Sequence, residues 1–250
     1  MSSDMLTPEP PRSSRWLGRR YLFQVGRVGI PSYAVTLYLG FAAGVVCGGY
    51  VMGLGYRRFA AAAAILLVFA LFGSRIWYLI GHRDAVPVRA GAGLYGGLVL
   101  SFAVSFPVLR LIGLELWRFW DGAAIILLVG MTVTRVGCLM NGCCCGRETH
   151  GPFGMWLPDY RGEWKRRYPT QLFELAWTAT ILLVALALHR PSDPPGLLFF
   201  GSAAAYGIGR LFLEPLRADA SRSALPTRIN MAFSAVLAAV SLAAFVMKLR

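Results

Sequence analysis

Charged side chains are scarce in this sequence. Only 15% of its 250 residues are Asp, Glu, Lys or Arg, against roughly 25% in a soluble domain. That leaves too little polar surface to clothe a water-soluble enzyme, and the 56% hydrophobic content excludes a disordered chain. Lysine is nearly missing: 23 of the 25 basic residues are arginine, leaving Lys165 and Lys248. With 12 acidic residues the net charge is +13. The arginines sit in short connections between apolar runs, and no nucleic-acid-binding signature is present. Attraction to anionic lipid, about 1 kcal/mol per basic group near the surface, is the simpler account of the excess. Of five cysteines, four crowd into one stretch, which is not the framework of a disulfide-stapled secreted domain. There is no internal repeat, which weighs against a transporter, and no second domain.

What is there instead is a series of seven apolar runs, each close to the 20 or so residues that a helix needs to cross a bilayer. They fall at about Ser32–Leu54, Ala60–Ile80, Ala92–Leu114, Asp121 to the cysteine cluster, Thr170–Leu188, Gly196–Leu213 and Ile229–Met247. The pattern predicts an all-α integral membrane protein: a seven-helix domain over residues 30–250, preceded by a polar arm at 1–29. That arm carries five arginines and Pro8, Pro10 and Pro11. It lacks the apolar core and cleavage site of a signal peptide, and is expected to be a surface arm, partly without fixed structure.

One connection is long. Leu139 to Pro169 holds Trp156, Tyr160, Trp164 and the basic run Lys165, Arg166, Arg167, a composition suited to the membrane–water interface. It predicts a small extramembrane head between the fourth and fifth spans. The N-terminal arm and the even-numbered loops hold 15 Lys and Arg, against 7 in the other connections and the C-terminal end when Arg110, near the end of the third span, is included. Taken alone, the positive-inside rule puts the arm and head in the cytoplasm.

The informative residues are charges at membrane depth, each costing a few kcal/mol unless paired or functional. Arg75 falls late in the second span, Arg135 near the end of the fourth, and Gln171 and Glu174 at the head of the fifth. Arg210 and Glu214 stand four apart, on one helix face. They could simply neutralise each other and hold the bundle together. Alternatively, the arginines converge on a cavity. Guanidinium forks match phosphate geometry, and fixed cationic donors stabilise a departing phosphate. Glycines flank these arginines at 91, 93, 96, 97, 137, 142 and 146, permitting close backbone approach.

The cysteine cluster, Cys138, Cys143, Cys144 and Cys145, leaves three readings open. It could be a tight small-residue turn or carry a reactive thiol. Zinc is disfavoured by the spacing, because no C-x-x-C pair is present and adjacent cysteines rarely share one ion. Cys47, inside the first span, reads as a small buried apolar residue.

Taken in order, these motifs resemble one bacterial family, the prolipoprotein diacylglyceryl transferases. Arg135-Val-Gly-Cys-Leu-Met-Asn141-Gly142, ending at Gly146-Arg147, is similar to the family signature Gly-Arg-x-Gly-Asn-x-x-Asn-Gly. Tyr168-Pro-Thr-Gln171-Leu-Phe-Glu174 resembles its His-Pro-Ser-Gln-Leu-Tyr-Glu element. Tyr206-Gly-x-x-Arg210-x-x-x-Glu214, followed by Arg217, resembles Tyr-Gly-x-x-Arg-x-x-x-Glu. Gly73-Ser-Arg75 is similar to its Gly-Ala-Arg, and Tyr33 falls where the family has a tyrosine.

The resemblance implies seven spans in the bacterial cytoplasmic (inner) membrane, with the head facing outward, against the charge count. It also implies transfer of a diacylglyceryl group from phosphatidylglycerol to the lipobox cysteine of a prolipoprotein, releasing glycerol phosphate, with no cofactor and no metal. Arg135 and Arg210 would hold the phosphate and Glu214 would orient Arg210. Asn141, Gly142 and Gly146 would shape the pocket, and Tyr33, Arg75, Gln171 and Glu174 would contact substrate. The acceptor thiol must lose its proton, because the thiolate is the nucleophile.

Three positions depart from the pattern. Tyr95 stands where the family has a glycine-flanked histidine proposed as the base, and an ordinary tyrosine titrates near 10, about three units above neutral. Cys138 replaces the first signature asparagine, and Cys143 an acidic residue. A related enzyme with another acceptor, or a non-catalytic lipid-binding protein, therefore stays open beside the transferase.

Overall fold

The computed structural model describes residues 17–26, 28–81, 94–159, 161–218 and 224–250. Among them are seven helices long and apolar enough to cross a membrane: α1 (Ser32–Met52), α2 (Tyr56–Gly81), α3 (Leu94–Ile112), α4 (Leu116–Asn141), α5 (Thr170–Leu188), α6 (Leu197–Leu213) and α7 (Ala224–Leu249). The chain is a multi-pass membrane protein of the expected all-α class. Two helices start about one turn before their apolar runs. α4 begins at Leu116 rather than near Asp121, and α7 at Ala224 rather than Ile229, so Trp117 and Trp120 are already part of the helix. His82, Gly91 and Gly93 lie outside the described residues, as does Tyr160.

Lipid is as apolar as leucine, so helices in a membrane gain from close backbone packing rather than from hiding apolar surface. The most extensive helix contact, α1 on α4, shows this. Gly40, Gly44 and Gly48 recur every four residues and lie against Gly130, Ile126 and Gly122. A Cβ at Gly44 would stand 2.7 Å from the Ile126 Cα, and one at Gly48 2.6 Å from the Gly122 carbonyl oxygen. Backbone cannot step aside, so Gly44→Val is expected to cost about 2–3 kcal/mol. The check is thermal unfolding in detergent beside Gly55→Val, at whose α-carbon the surroundings are open and whose backbone is not left-handed. Gly96 and Gly97 likewise seat α3 on α2, and Gly207 seats α6 on α7.

One end of the bundle is aromatic. Phe59, Phe119, Trp120 and Phe199 form its buried core, with Trp120 donating to Ser105 Oγ at 3.1 Å. Asp121 is buried there too, accepting hydrogen bonds from the backbone N–H of Gly196 (2.6 Å) and Phe199 (2.8 Å). α6 lacks a capping side chain of its own, and its first turn has orphan N–H groups and a partial positive charge. A carboxylate from α4 supplies both needs. Asp121→Ala is expected to lower stability by about 2 kcal/mol, read as a fall of about 5 °C in Tm.

Two β-hairpins sit outside the helices. β1 (Tyr21–Val25) pairs antiparallel with β2 (Val28–Pro31), giving the end of the N-terminal arm a defined form that its composition did not announce. β3 (Met155–Pro158) pairs with β4 (Trp164–Arg167) and forms the expected head. Asp159 closes the β3–β4 turn: Oδ1 accepts from the N–H groups of Arg161 and Glu163, and Oδ2 faces Arg167. Burial pushes that carboxyl up, but the two N–H donors and Arg167 outweigh it and hold it below the ordinary range. Exposed Phe153 and Met155 give the head an apolar edge. The head is tied down at both ends, since Gly146 bridges to Arg217 and Glu148 to Arg167.

Candidate active site

α4 carries its chemistry at its last two turns. From Asp121 to Arg135 is about 21 Å along the axis at 1.5 Å per residue, so the polar cluster lies at the opposite end of the bundle from the aromatic core. There Arg135 of α4, Glu174 of α5 and Arg210 of α6 meet. They are joined by Glu214, in the 3-10 turn (Glu214–Leu216) that ends α6, and by Arg217 just beyond.

Glu174 is the hub, 2% exposed. Its Oε1 accepts from Arg210 Nη1 at 2.9 Å and Arg217 Nη1 at 3.0 Å, and its Oε2 is ion-paired with Arg135 Nη2. Arg210 Nη2 donates to Glu214 Oε2, whose Oε1 accepts from Asn230 Nδ2 of α7 at 2.9 Å. Among the described residues the cluster brings three guanidiniums, Arg135, Arg210 and Arg217, onto two carboxylates, Glu174 and Glu214, in a buried, low-dielectric place. Forked guanidinium donors gathered at one buried point are the arrangement that binds an anion such as phosphate.

Below the cluster, a small apolar cavity of ≈ 50 Å³ lies among α3, α4, α6 and α7, lined by Tyr95, Leu128, Met131, Tyr206 and Leu237 among others. Tyr206 lies within electrostatic reach of Arg210, Arg135 and Glu174, so the cavity meets the charges at its polar end. A cationic cluster at the end of apolar spans fits an anionic lipid headgroup.

The loop after α4 closes the other side. Gly142 ends the helix in the left-handed region, φ 70°, its N–H bonded to the Cys138 and Leu139 carbonyls. A Cβ there would strike the Asp159 carbonyl at 2.6 Å, so Gly142 fixes the head against the site. Gly146 donates its N–H to Tyr168 O at 3.1 Å. At the start of α5, Thr170 Oγ1 and Gln171 Nε2 donate to the Cys144 and Cys143 carbonyls, both at 2.9 Å. Gln171 is 1% exposed, and its buried Oε1 has no hydrogen-bond partner among the described residues. Asn141 sits beside Cys143. Tyr33 is half-buried within electrostatic reach of Arg135 and the thiols of Cys138, Cys143 and Cys144.

Arg75 is not brought to the cluster, and Tyr95 meets it from the side of α7. Arg75 was placed among the substrate contacts by resemblance; it is exposed, with no hydrogen bond or ion pair among the described residues. The cause is helical phase. Gly73 faces α3 and Trp77 stacks edge-on against Phe233 of α7, centroids 4.4 Å apart. Arg75 lies two residues from each, roughly 200° around the helix. Tyr95, a candidate base, is hydrogen-bonded to Ser234 Oγ, whose own hydrogen goes to the Asn230 carbonyl at 2.7 Å. With that hydrogen committed, the phenol is placed to donate to Ser234, and Tyr95 also lies within reach of Arg210 and Glu214.

Arg217 stood in a quoted motif without being singled out. Asn230 and Ser234 were missed altogether, although two polar residues four apart in an apolar run are a visible sign of a helix face turned toward a polar partner.

The family model for prolipoprotein diacylglyceryl transferase matches residues 20–247. The chain is also similar to curated proteins named phosphatidylglycerol–prolipoprotein diacylglyceryl transferase. That of Tropheryma whipplei strain TW08/27 is 25% identical, covering 92% of this chain and 90% of that protein. That of Bacillus licheniformis is 28% identical, covering 86% and 87%, and that of Shouchella clausii 27%, covering 80% and 79%. Match, motif order and seven spans agree: the chain belongs to the prolipoprotein diacylglyceryl transferase family.

Proposed function

We propose that this protein is a transferase of the bacterial inner membrane that moves the diacylglyceryl group of phosphatidylglycerol onto the lipobox cysteine thiol of a prolipoprotein, releasing glycerol phosphate, with the head on the outer side. The observation that carries the reading is the convergence of Arg135, Arg210 and Arg217 on one buried point at the end of the apolar spans. The phosphate of the donor lipid sits on those guanidiniums and its acyl chains lie along the apolar spans. As the carbon–oxygen bond to phosphate breaks, negative charge grows on the departing phosphate. Preorganised guanidiniums lower that barrier most where water is excluded. Glu174 and Glu214 hold the arginine planes in place, Asn230 steadies Glu214, and the unpaired Gln171 Oε1 accepts from a headgroup hydroxyl. Asn141, Gly142, Gly146 and Tyr33 form the wall next to the phosphate.

A second reading rests on Tyr95. With its hydroxyl committed to Ser234, the chain could bind the lipid and serve another acceptor, or none. The test is glycerol phosphate release from phosphatidylglycerol liposomes, with and without a lipobox peptide. Release that needs the peptide supports transfer to the lipobox; release without it points to another acceptor, and lipid binding without release to a binding protein.

A further inference from the structure

Linear spacing argued against a shared ion at the cysteines, but the folded loop is not described by that spacing. The last turn of α4 presents Cys138, and the chain reverses through two left-handed residues, Gly142 (φ 70°) and Cys144 (φ 56°). The Sγ atoms of Cys138, Cys143 and Cys144 consequently all lie within 4.8 Å of one another. In a zinc thiolate centre the Zn–S bonds are about 2.3 Å, which puts the sulfurs about 3.8 Å apart. Small side-chain rotations separate the two arrangements.

Two further features point to a ligand. Among the described residues Cys144 is the single non-glycine with positive φ, a conformation that costs an L-residue about 1–2 kcal/mol where glycine would pay nothing. Strain of this kind persists where the side chain has a task. Arg135 Nη1 also stands 3.9 Å from Cys138 Sγ, a cation placed to support a thiolate and the same group that meets Glu174.

We propose that Cys138, Cys143 and Cys144 bind one thiophilic divalent cation, Zn²⁺, leaving its fourth tetrahedral position open for the acceptor thiol. Three protein ligands with one open position is the pattern of catalytic rather than structural zinc, and a thiol that joins such an ion is deprotonated outright. This supplies the activation of the acceptor thiol. The acceptor role rests on the transferase reading; the metal site does not. In the step, the acceptor S–H gives its proton to solvent as sulfur joins Zn²⁺. The sulfur electron pair then forms the S–C bond to the glycerol carbon of the donor lipid, and the C–O bond breaks with its pair leaving on glycerol phosphate, held by Arg135 and its neighbours.

The experiment uses the full chain in detergent, stripped with a chelator and titrated with Co²⁺, whose thiolate charge-transfer bands report coordination. One equivalent is expected to give the bands, and Zn²⁺ to remove them. Cys143→Ser and Cys144→Ser should each weaken Co²⁺ binding by tenfold or more, while Cys47→Ser and Cys145→Ser leave it unchanged. A lipobox peptide with cysteine should shift the bands, and its serine analogue should not. Because a variant can misfold, the native chain carries a second readout: Zn²⁺ should slow alkylation of the three thiols but not of Cys47. Absence of thiolate bands and of protection overturns the site. Bands indifferent to the cysteine peptide overturn the acceptor assignment. If bands and peptide response persist while the Zn²⁺-loaded protein makes no thioether from phosphatidylglycerol, the transferase reading has failed and the metal site stands.

Discussion

Glu174→Ala is expected to be the most damaging single substitution in the bundle. It leaves Arg135, Arg210 and Arg217 facing one another with Glu214 as the remaining carboxylate of the cluster. Removing one partner of a buried ion pair costs about 3–5 kcal/mol because the other charge stays buried, and here three charges share the loss. A fall of the order of 10 °C in Tm is expected, with transfer abolished. Glu174→Gln should be nearly as harmful despite its shape, since the effect is electrostatic. The diagnostic is the double variant Glu174→Gln with Arg217→Gln, which removes one charge of each sign and should regain part of the lost Tm. A double variant no more stable than Glu174→Gln would mean that packing, not charge, makes Glu174 the hub.

Arg210→Ala is expected to reduce turnover by roughly 10²–10³-fold, the range for losing one donor that meets charge developing in the transition state. Arg210→Lys should recover little, because one ammonium cannot bridge Glu174 and Glu214 while also meeting phosphate in the plane that a guanidinium fork provides. The comparison is Arg118→Ala, whose arginine lies on the surface beside Glu115 and should work at near wild-type rate. Initial rates of glycerol phosphate release, at matched protein incorporation into liposomes, measure all three. A large loss at Arg118 would mean that total positive charge, not the cluster, governs the rate.

Hydropathy alone was enough to find the seven helices, because a bilayer-spanning segment must be apolar along its whole length. The glycine spacing 40, 44, 48 carried the α1–α4 contact in plain view, although no partner could be read from α1 by itself. Arg135, Glu174, Arg210 and Glu214 announced themselves as charges where charge is expensive. Their pairing did not. Glu174 and Arg135 are 39 positions apart in sequence, and that Glu174 serves three arginines follows from helix phase and tilt, which no single run encodes. Phase also keeps Arg75 out of the cluster, two positions off the inner face. The cysteines were misleading for a related reason: ligand spacing rules describe regular turns, whereas consecutive left-handed reversals at Gly142 and Cys144 fold adjacent residues onto one point. Asp121 capping α6 and Asn230 holding Glu214 are tertiary contacts between side chains and groups far along the chain, outside the reach of any local pattern.

The most direct test is whether the arginine cluster moves a diacylglyceryl group. Purified protein in phosphatidylglycerol liposomes would be given a lipobox peptide, and the peptide cysteine followed by mass spectrometry. The account predicts a thioether-linked diacylglyceryl adduct that forms with wild-type protein and is lost with Arg210→Ala. An unmodified peptide in the presence of bound lipid and intact protein, or an adduct that persists in Arg210→Ala, would contradict it.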